Sequence, residues 1–263
     1  MAKRSPNTTE NKLKKGIGQG HGKDYKPWLT VRDVPSQGLS TRIHGWKTGR
    51  VHHFLSLNEL HCYYTFEWAK DVIDIREQYP LDLDQTLDIA SRLNVKHPSQ
   101  PKSDEPIVMT TDFLLDIQSG SEVRNIAISV KPADDLSSIR VQAKQSIEYL
   151  YWTEKRVPWY IITELEIPKI LAKNVEWIHT ARWIEDSPGL SITLIRQIEP
   201  VLYELIMFGQ VSPAESALAT DSKLGLNPGS CLWIIRYLIA NRYWTVSMGI
   251  FKRLKKGCRL KAA

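Results

Sequence analysis

The sequence PIVMTTDFLLDIQSGSEVRNIAISVKP, residues 106–132, contains the clearest structural pattern of the chain. Residues 107–117 and 123–130 are rich in β-branched and other apolar side chains, and Gln118-Ser119-Gly120-Ser121 between them is typical of a tight turn. The stretch therefore predicts a β-hairpin, around which the other elements are expected to assemble.

Each strand of this hairpin contains a charged residue that a buried sheet does not favour. A turn at Gly120-Ser121 places Asp112 opposite Ser129, with Lys131 one diagonal step away, so that these three side chains share a face. The opposite face is formed by Ile126, Ile128 and Val130. A carboxylate and an ammonium held on a sheet suit a hydrolase that binds a metal and a phosphate. A plain cross-strand ion pair on a solvated face is the alternative, and spacing alone does not separate the two.

Composition limits the class of protein and its partners. At 263 residues, with 42% hydrophobic and 24% charged residues, the chain is globular and long enough for two domains. A net charge of +6 and a pI near 9.1 suit a polyanionic partner such as DNA. Three widely spaced cysteines form no CxxC motif, so they predict neither a disulfide framework nor a zinc knuckle and fit a reducing cytoplasm. The longest apolar runs are too short to span a bilayer.

The first helix is predicted from a capping box, Ser56-Leu57-Asn58-Glu59. It is followed by an apolar stripe at helical spacing, formed by Leu57, Leu60, Tyr64 and Trp68. Glu59 has a sufficient structural role here, because its carboxylate is expected to accept a hydrogen bond from the Ser56 amide. Taken alone, the pattern favours that structural role over a catalytic one.

The remaining elements predict an α/β fold. They are a strand at 72–81, a loop at 82–105, the hairpin, a helix at 136–156 with Ile139, Ala143, Ile147 and Leu150 on one stripe, a buried strand at 158–163 and a helix at 167–183. This order predicts a mixed sheet flanked by helices.

Beyond residues 185–189 the pattern changes, and we place a boundary between Glu164 and Gly189 that gives domains 1–168 and 169–263. Helices are expected at 192–207 and 229–241 and a strand at 244–250, which together favour a small winged-helix-like module. The chain ends are basic, at 1–26 and 252–261. They are either solvated termini or arms that contact DNA phosphates.

Several of these stretches resemble the TnsA family, the endonuclease subunits of heteromeric Tn-type transposases. The matching segments are GQGHGKDYKPWLTV (18–31), KTGRVHHFLSLNEL (47–60), DIREQYPL (74–81), TDFLLD (111–116), SVKPA (129–133) and VPWYIIT (157–163). They occur in the order typical of the family and cover most of the first 180 residues, while the last third carries weaker motifs.

The resemblance implies a restriction-endonuclease-like N-terminal domain and a winged-helix-like C-terminal domain. It implies catalytic roles for Glu59, Asp112 and Lys131, with Mg²⁺ held by Glu59 and Asp112 and Mn²⁺ able to substitute. Ser129 stands where such enzymes usually have an acidic residue, so either its side chain or a backbone carbonyl of Ser129 or Val130 is expected to complete the metal site. Glu148 matches a further acidic position of the family, either beside the site or on the surface.

The resemblance also implies a place in a larger machine. The chain would nick double-stranded DNA at the 5′ ends of a transposon in the bacterial cytoplasm, at the nucleoid. A DDE-type transposase would process the 3′ ends, and an AAA-type ATPase regulator would dock on the C-terminal domain. Two alternatives stay open: a stand-alone restriction- or repair-type endonuclease, and a non-catalytic DNA-binding assembly protein whose carboxylates are structural.

Overall fold

The structure is a computed structural model, and it describes residues 9–34, 40–100, 104–187, 189–208, 211–249 and 261–262. The chain divides into two units, Met1–Ile167 and Pro168–Ala263. The division falls one residue before the predicted boundary. The catalytic and winged-helix characters that we assigned to the two units stay predictions.

The first unit is built around a mixed sheet. Its helices are α1 (Thr9–Lys14), α2 (Leu57–Trp68), α3 (Leu83–Arg92) and α4 (Ile139–Glu154). Its strands are β1 (Thr41–His44), β2 (Val51–Phe54), β3 (Val72–Pro80), β4 (Thr110–Ser119), β5 (Glu122–Val130) and β6 (Trp159–Ile162). Strands β3, β4, β5 and β6 are neighbours in that order, with two antiparallel pairs followed by a parallel one, and β1 pairs with β2 in a separate hairpin. The predicted α/β class with a mixed sheet is confirmed.

Strands β4 and β5 form the predicted hairpin in the predicted register. Ser119 pairs with Glu122 beside the turn, and Phe113 pairs with Ile128. The paired part of the hairpin ends at Phe113 and Ile128, and just beyond it the Ser129 hydroxyl lies 3.4 Å from Asp112 Oδ2. Gly120 in the turn has a φ of +60°, which glycine adopts without a Cβ penalty.

The two faces of the sheet pack against different helices. Leu114 and Ala127 belong to an apolar cluster with α3 and α4, whose members are Leu81, Ile89, Ala90, Met109, Leu114, Ala127, Ile147, Tyr151 and Trp152. Phe113 points to the other face, because successive strand residues alternate, and its ring lies 5.3 Å from that of Phe66 on α2. The sheet is therefore covered on both faces.

Helix α3 lies where we predicted a loop, and that prediction is wrong. Asp82 caps the helix by accepting a hydrogen bond from the Gln85 amide at 2.9 Å. The helix buries Thr86, Ile89 and Ala90, a narrow stripe that the surrounding polar residues conceal in the sequence.

Some predicted stripes and boundaries are also wrong in detail. Ile139, expected on the buried stripe of α4, is 84% exposed, and Leu57 at the start of α2 is 49% exposed. Residues Asp134–Ser137 form a separate turn of 3-10 helix, so α4 begins three residues later than predicted. Strand β6 is half-buried rather than fully buried.

The second unit is mainly helical. Its helices are α5 (Lys169–His179), α6 (Ile192–Phe208), α7 (Pro213–Leu224) and α8 (Ser230–Ala240), and its strands β7 (Trp244–Thr245) and β8 (Lys261–Ala262) pair antiparallel. Helix α7 was not predicted, although Ser212 and Glu215 form a complete capping box before it. Within the described part of 244–250 the strand is limited to two residues, and the winged helix stays a prediction. No helix among the described residues has the length and apolar character needed to cross a bilayer.

A buried group of charges fastens strand β2 to strand β3. The Arg50 guanidinium donates to both carboxylate oxygens of Glu77, at 2.8 and 2.5 Å, and His52 Nδ1 lies 2.8 Å from the same carboxylate. His52 Nε2 lies 2.7 Å from the Thr48 hydroxyl. Although burial opposes ionisation, His52 and Arg50 lower the pKa of Glu77 to about 2. The Glu77 carboxylate is therefore ionised and hydrogen-bonded to both neighbours, and it anchors this part of the fold.

Replacing Arg50 should destabilise the first unit strongly. Arg50→Met leaves the Glu77 charge buried without its main partner, which costs about 3–5 kcal/mol of unfolding free energy. Urea denaturation measures the loss. The control is Arg124→Met, which removes an exposed guanidinium 2.8 Å from Glu122 and should change the stability little. Equal effects of the two substitutions would contradict the role given to the buried anchor.

Candidate active site

Glu59 is positioned by the start of helix α2. Ser56 caps the helix, its Oγ accepting from the Glu59 amide at 3.2 Å, while the Glu59 carboxylate accepts from the Ser56 hydroxyl at 2.9 Å and from the Leu55 amide at 3.0 Å. The return bond thus comes from the Leu55 amide and not, as predicted, from that of Ser56. Capping does not turn Glu59 away from the sheet, because its Oε2 also lies 3.4 Å from a side chain of β3, that of Gln78.

Asp112 is held by the backbone and side chains of the facing strand end. Its Oδ2 accepts from the Val130 amide at 2.6 Å and from the Lys131 ammonium at 2.7 Å, and the Ser129 hydroxyl lies 3.4 Å from the same oxygen. These contacts lie directly beyond the last pair of the hairpin, Phe113 with Ile128. The Ser129 hydroxyl and the Val130 amide are therefore both beside Asp112, while their part in a metal site stays a prediction.

Lys131 follows directly after β5 and completes the group. Its ammonium donates to Asp112 and, at 3.0 Å, to the Val130 carbonyl oxygen. Burial lowers the pKa of Lys131, but the carboxylates of Asp112, Glu148 and Glu59 outweigh burial and raise it. The side chain is consequently a fixed cation at neutral pH.

Gln78 connects the two carboxylates, and the sequence did not lead us to it. Its Nε2 lies 3.4 Å from Glu59 Oε2 and 3.5 Å from Asp112 Oδ1. One amide nitrogen therefore touches residues from α2 and β4, which shows that Glu59, Asp112 and Lys131 converge on one place. The only sign of this role in the sequence is a neutral amide side chain within the predicted strand DIREQYPL, and that is a weak indication of a site residue.

Two carboxyl groups at this place are hard to ionise. Burial, and then the charge of Asp112, raise the pKa of Glu59 to about 7. The pKa of Glu148 is also raised to about 7, chiefly by burial, with Lys131 lowering it and Asp112 raising it. Such shifts are common where carboxylates lie close together without a cation between them.

Glu148 lies inside the fold on helix α4. Its Oε1 accepts hydrogen bonds from the Thr111 hydroxyl at 2.8 Å and the Trp159 indole at 3.0 Å, and the residue is 2% exposed. The surface role that the sequence left open is excluded. Thr111 precedes Asp112 on β4, so Glu148 supports the strand that carries the site.

The donor set around Asp112 and Glu59 fits a small, hard divalent cation. Carboxylate, hydroxyl and backbone carbonyl oxygens are the ligands that Mg²⁺ prefers. A cation would also relieve the repulsion that raises the pKa of Glu59. The residues present thus match the predicted metal ion in both ligand type and charge.

A second group of metal-ligating residues lies further along the same strands. Ligand atoms of His21, Asp74 and Asp116 lie within 4.8 Å of one another. Asp116 is four residues from Asp112 along β4, about 13 Å away. This group already has a cation, because the Arg76 guanidinium is hydrogen-bonded to Asp116, and the Gly22 amide donates to Asp74 at 3.0 Å. We assign it to attachment of the N-terminal segment and not to catalysis.

Comparison with known proteins identifies related chains. The family described as "TnsA-like endonuclease N terminal" matches residues 69–164, and the family described as "TnsA endonuclease C terminal" matches residues 166–248. The first match includes Asp112 and Lys131 and begins after Glu59. The chain is 39% identical to the Transposon Tn7 transposition protein TnsA of Escherichia coli over 259 residues, which is 97% of this chain and 92% of that protein.

The Glu148 carboxyl should make the stability of the metal-free protein fall as the pH rises. Its folded pKa of about 7 exceeds the ordinary value of 4.5, so the stabilising proton is present below pH 4.5 and is lost as the pH rises to 7. Glu148→Gln keeps an acceptor for Thr111 and Trp159 but cannot ionise. We expect unchanged stability near pH 4.5 and a gain on the order of 2 kcal/mol at pH 8.

Urea denaturation in EDTA at the two pH values measures this difference. Glu122→Gln, which alters an exposed carboxylate on β5, serves as the control and should follow the wild type at both. A Glu148→Gln protein that loses stability with pH as steeply as the wild type would show that Glu148 is ionised in the folded state.

Proposed function

We propose the following reaction from the premise that the chain belongs to the TnsA endonuclease family and is an endonuclease subunit of a transposase. Hydrolysis of a DNA phosphodiester takes place at Glu59, Asp112 and Lys131 and depends on Mg²⁺, for which Mn²⁺ can substitute. The observation that carries the proposal is the convergence of two buried carboxylates on Gln78, with the Lys131 ammonium 2.7 Å from one of them.

Glu59 and Asp112 would hold the cation between them. The Ser129 hydroxyl is a further oxygen beside Asp112, the Val130 carbonyl oxygen accepts from the Lys131 ammonium, and the Val130 amide orients the Asp112 carboxylate. A bound Mg²⁺ supplies a water of lowered pKa and neutralises charge on the scissile phosphate. The chain's own contribution is to keep the oxygens in place in a shielded position.

Lys131 would act on the phosphate and the attacking water. Its ammonium stays protonated and is fixed by Asp112, so it can bind a phosphate oxygen without reorganising when negative charge develops there. The products are a 3′-hydroxyl and a 5′-phosphate. Glu148 would not contact the phosphate or the attacking water; its carboxylate accepts a hydrogen bond from Thr111, the residue before Asp112.

The partners follow from the family and from the charge of the chain. The substrate is double-stranded DNA at the 5′ ends of the transposon, cut in the cytoplasm while a DDE-type transposase processes the 3′ ends. An AAA-type ATPase regulator docks on the second unit. These assignments come to the chain from its family resemblance.

The N-terminal segment would guide DNA toward the site. The Trp28 amide donates to the Gln78 carbonyl at 3.1 Å, so this segment contacts the strand that carries Gln78. Lys15, Lys23 and Lys26 on this segment are exposed. The more distal basic residues, in 1–8 and 251–260, lie outside the described part of the chain.

Loss of Asp112 or Lys131 should stop cutting without unfolding the protein. We expect Asp112→Asn and Lys131→Ala each to slow nicking at the 5′ ends at least about 100-fold, because the first removes a carboxylate that would hold the cation and the second removes the ammonium that would bind the phosphate. The assay uses a reconstituted reaction with its partner proteins and Mg²⁺, and circular dichroism reports folding.

Two controls make the result specific. Glu122→Gln changes a carboxylate on the same hairpin and His21→Ala changes the second group of possible ligands. Both variants should nick at the wild-type rate and require the same Mg²⁺ concentration. A folded Asp112→Asn protein with normal nicking would rule out the assignment.

DNA affinity should depend on the lysines of the N-terminal segment. Each lysine–phosphate contact contributes about 0.9 to the slope of log K against log salt, so Lys15→Gln with Lys23→Gln should reduce the slope by roughly 2. Fluorescence anisotropy over a salt series measures it. Lys70→Gln with Lys96→Gln removes the same charge from other exposed positions and should leave the slope unchanged; an equal reduction would mean that net charge alone matters.

A further inference from the structure

Gln78 is a buried amide between the two proposed metal ligands, and the reaction described above does not use it. The residue is 2% exposed. Its Nε2 lies 3.4 Å from Glu59 Oε2 and 3.5 Å from Asp112 Oδ1, and its Oε1 accepts a hydrogen bond from the Thr110 hydroxyl at 3.1 Å. Both ends of the amide are therefore engaged.

The backbone at Gln78 is unusual for a strand. Its φ is +49°, whereas its neighbours Glu77 and Tyr79 pair regularly with Phe113 and Thr111 of β4. A left-handed conformation at a residue other than glycine is strained and persists where surrounding contacts fix it, commonly at functional sites. Such a contact is present here, since the Gln78 carbonyl accepts from the Trp28 amide.

The two ends of this amide suit two states of the site. The NH₂ end, facing two carboxylates, offsets their repulsion when no cation is between them. The same NH₂ would repel a divalent cation bound by those carboxylates. Rotation about the terminal torsion, which has no strong threefold preference, exchanges the NH₂ and the oxygen. The Thr110 hydroxyl can both donate and accept, so it can bond to either end.

We propose that Gln78 is an exchangeable ligand: its NH₂ bridges Glu59 and Asp112 in the metal-free protein, and its Oε1 binds the divalent cation once the cation enters. The inference rests on the proposed metal-dependent function. A neutral amide oxygen is a hard ligand of the kind that Mg²⁺ accepts. It adds an oxygen to a site in which Ser129 offers a hydroxyl and no carboxylate.

The test measures Mn²⁺ binding to the full chain by isothermal titration calorimetry, with thermal unfolding in EDTA as a second readout. Gln78→Asn keeps an amide and tolerates a positive φ, but it is one methylene too short to reach both carboxylates. We expect its Kd for Mn²⁺ to rise about tenfold. Gln118→Asn, at the hairpin turn, is the matched control and should bind Mn²⁺ like the wild type.

The variant Gln78→Glu distinguishes two roles of Gln78: binding the cation through its oxygen, or acting on the carboxylates only through its NH₂. As a ligand, Glu supplies an anionic oxygen, so Mn²⁺ should bind at least as tightly as to the wild type. In EDTA the same variant should melt at a lower temperature, because a third carboxylate joins two others. Weaker Mn²⁺ binding by Gln78→Glu, or wild-type binding by Gln78→Asn, would overturn the proposal. The Asn variant keeps the test decisive if the Glu variant does not fold.

Asp112→Asn distinguishes failure of this inference from failure of the proposed function. If Mn²⁺ does not bind the wild type, or binds Asp112→Asn equally well, the metal site and the role of Gln78 are both wrong. If Asp112→Asn abolishes binding while both Gln78 variants bind like the wild type, only the role of Gln78 is wrong.

Discussion

Glu59 and Asp112 place two carboxylates of like charge side by side in the interior of the first unit. In a medium that screens poorly, two such charges repel unless one takes a proton or a cation lies between them. Burial, and then the charge of Asp112, raise the pKa of Glu59 to about 7. Three surrounding groups reduce the repulsion between the carboxylates. The Val130 amide and the Lys131 ammonium donate to Asp112, and the Gln78 amide nitrogen lies beside both Asp112 and Glu59.

Strand β3 contacts the elements that carry the two carboxylates. Glu77 anchors β2 through Arg50 and His52, and β2 ends at Phe54, five residues before Glu59. The next residue of β3, Gln78, touches both carboxylates. One strand therefore holds the segment that leads into helix α2 and also contacts both acidic groups. Glu77 contributes to stability, and the next residue, Gln78, lies in the proposed site.

The hairpin and its register were predictable because local rules agree there. Turn residues, alternating apolar residues and the closeness of Asp112 to Ser129 all follow from the sequence of residues 106–132. The start of α2 was equally local, since Ser56 caps it. Helix α3 was not predictable in this way, because its buried side is narrow and gains its stability from contact with α4 and the sheet.

Gln78 shows a different limit. A single amide in a strand does not indicate its partners in the fold. The role of Gln78 depends on Glu59, 19 positions before it, and on Asp112, 34 positions after it. Its backbone conformation is likewise imposed by tertiary contacts, among them that with Trp28. Sequence patterns contain local preferences, whereas this residue is defined by what the fold brings next to it.

The order in which the chain is synthesised has a consequence for the cell. The Lys131 amide donates to the Ile162 carbonyl on β6, which pairs with β5 in parallel. The proposed site is thus complete only when β6 is in place, after more than half of the protein has left the ribosome. A nascent chain, or one terminated before β6, therefore lacks the partner that fixes the backbone of Lys131.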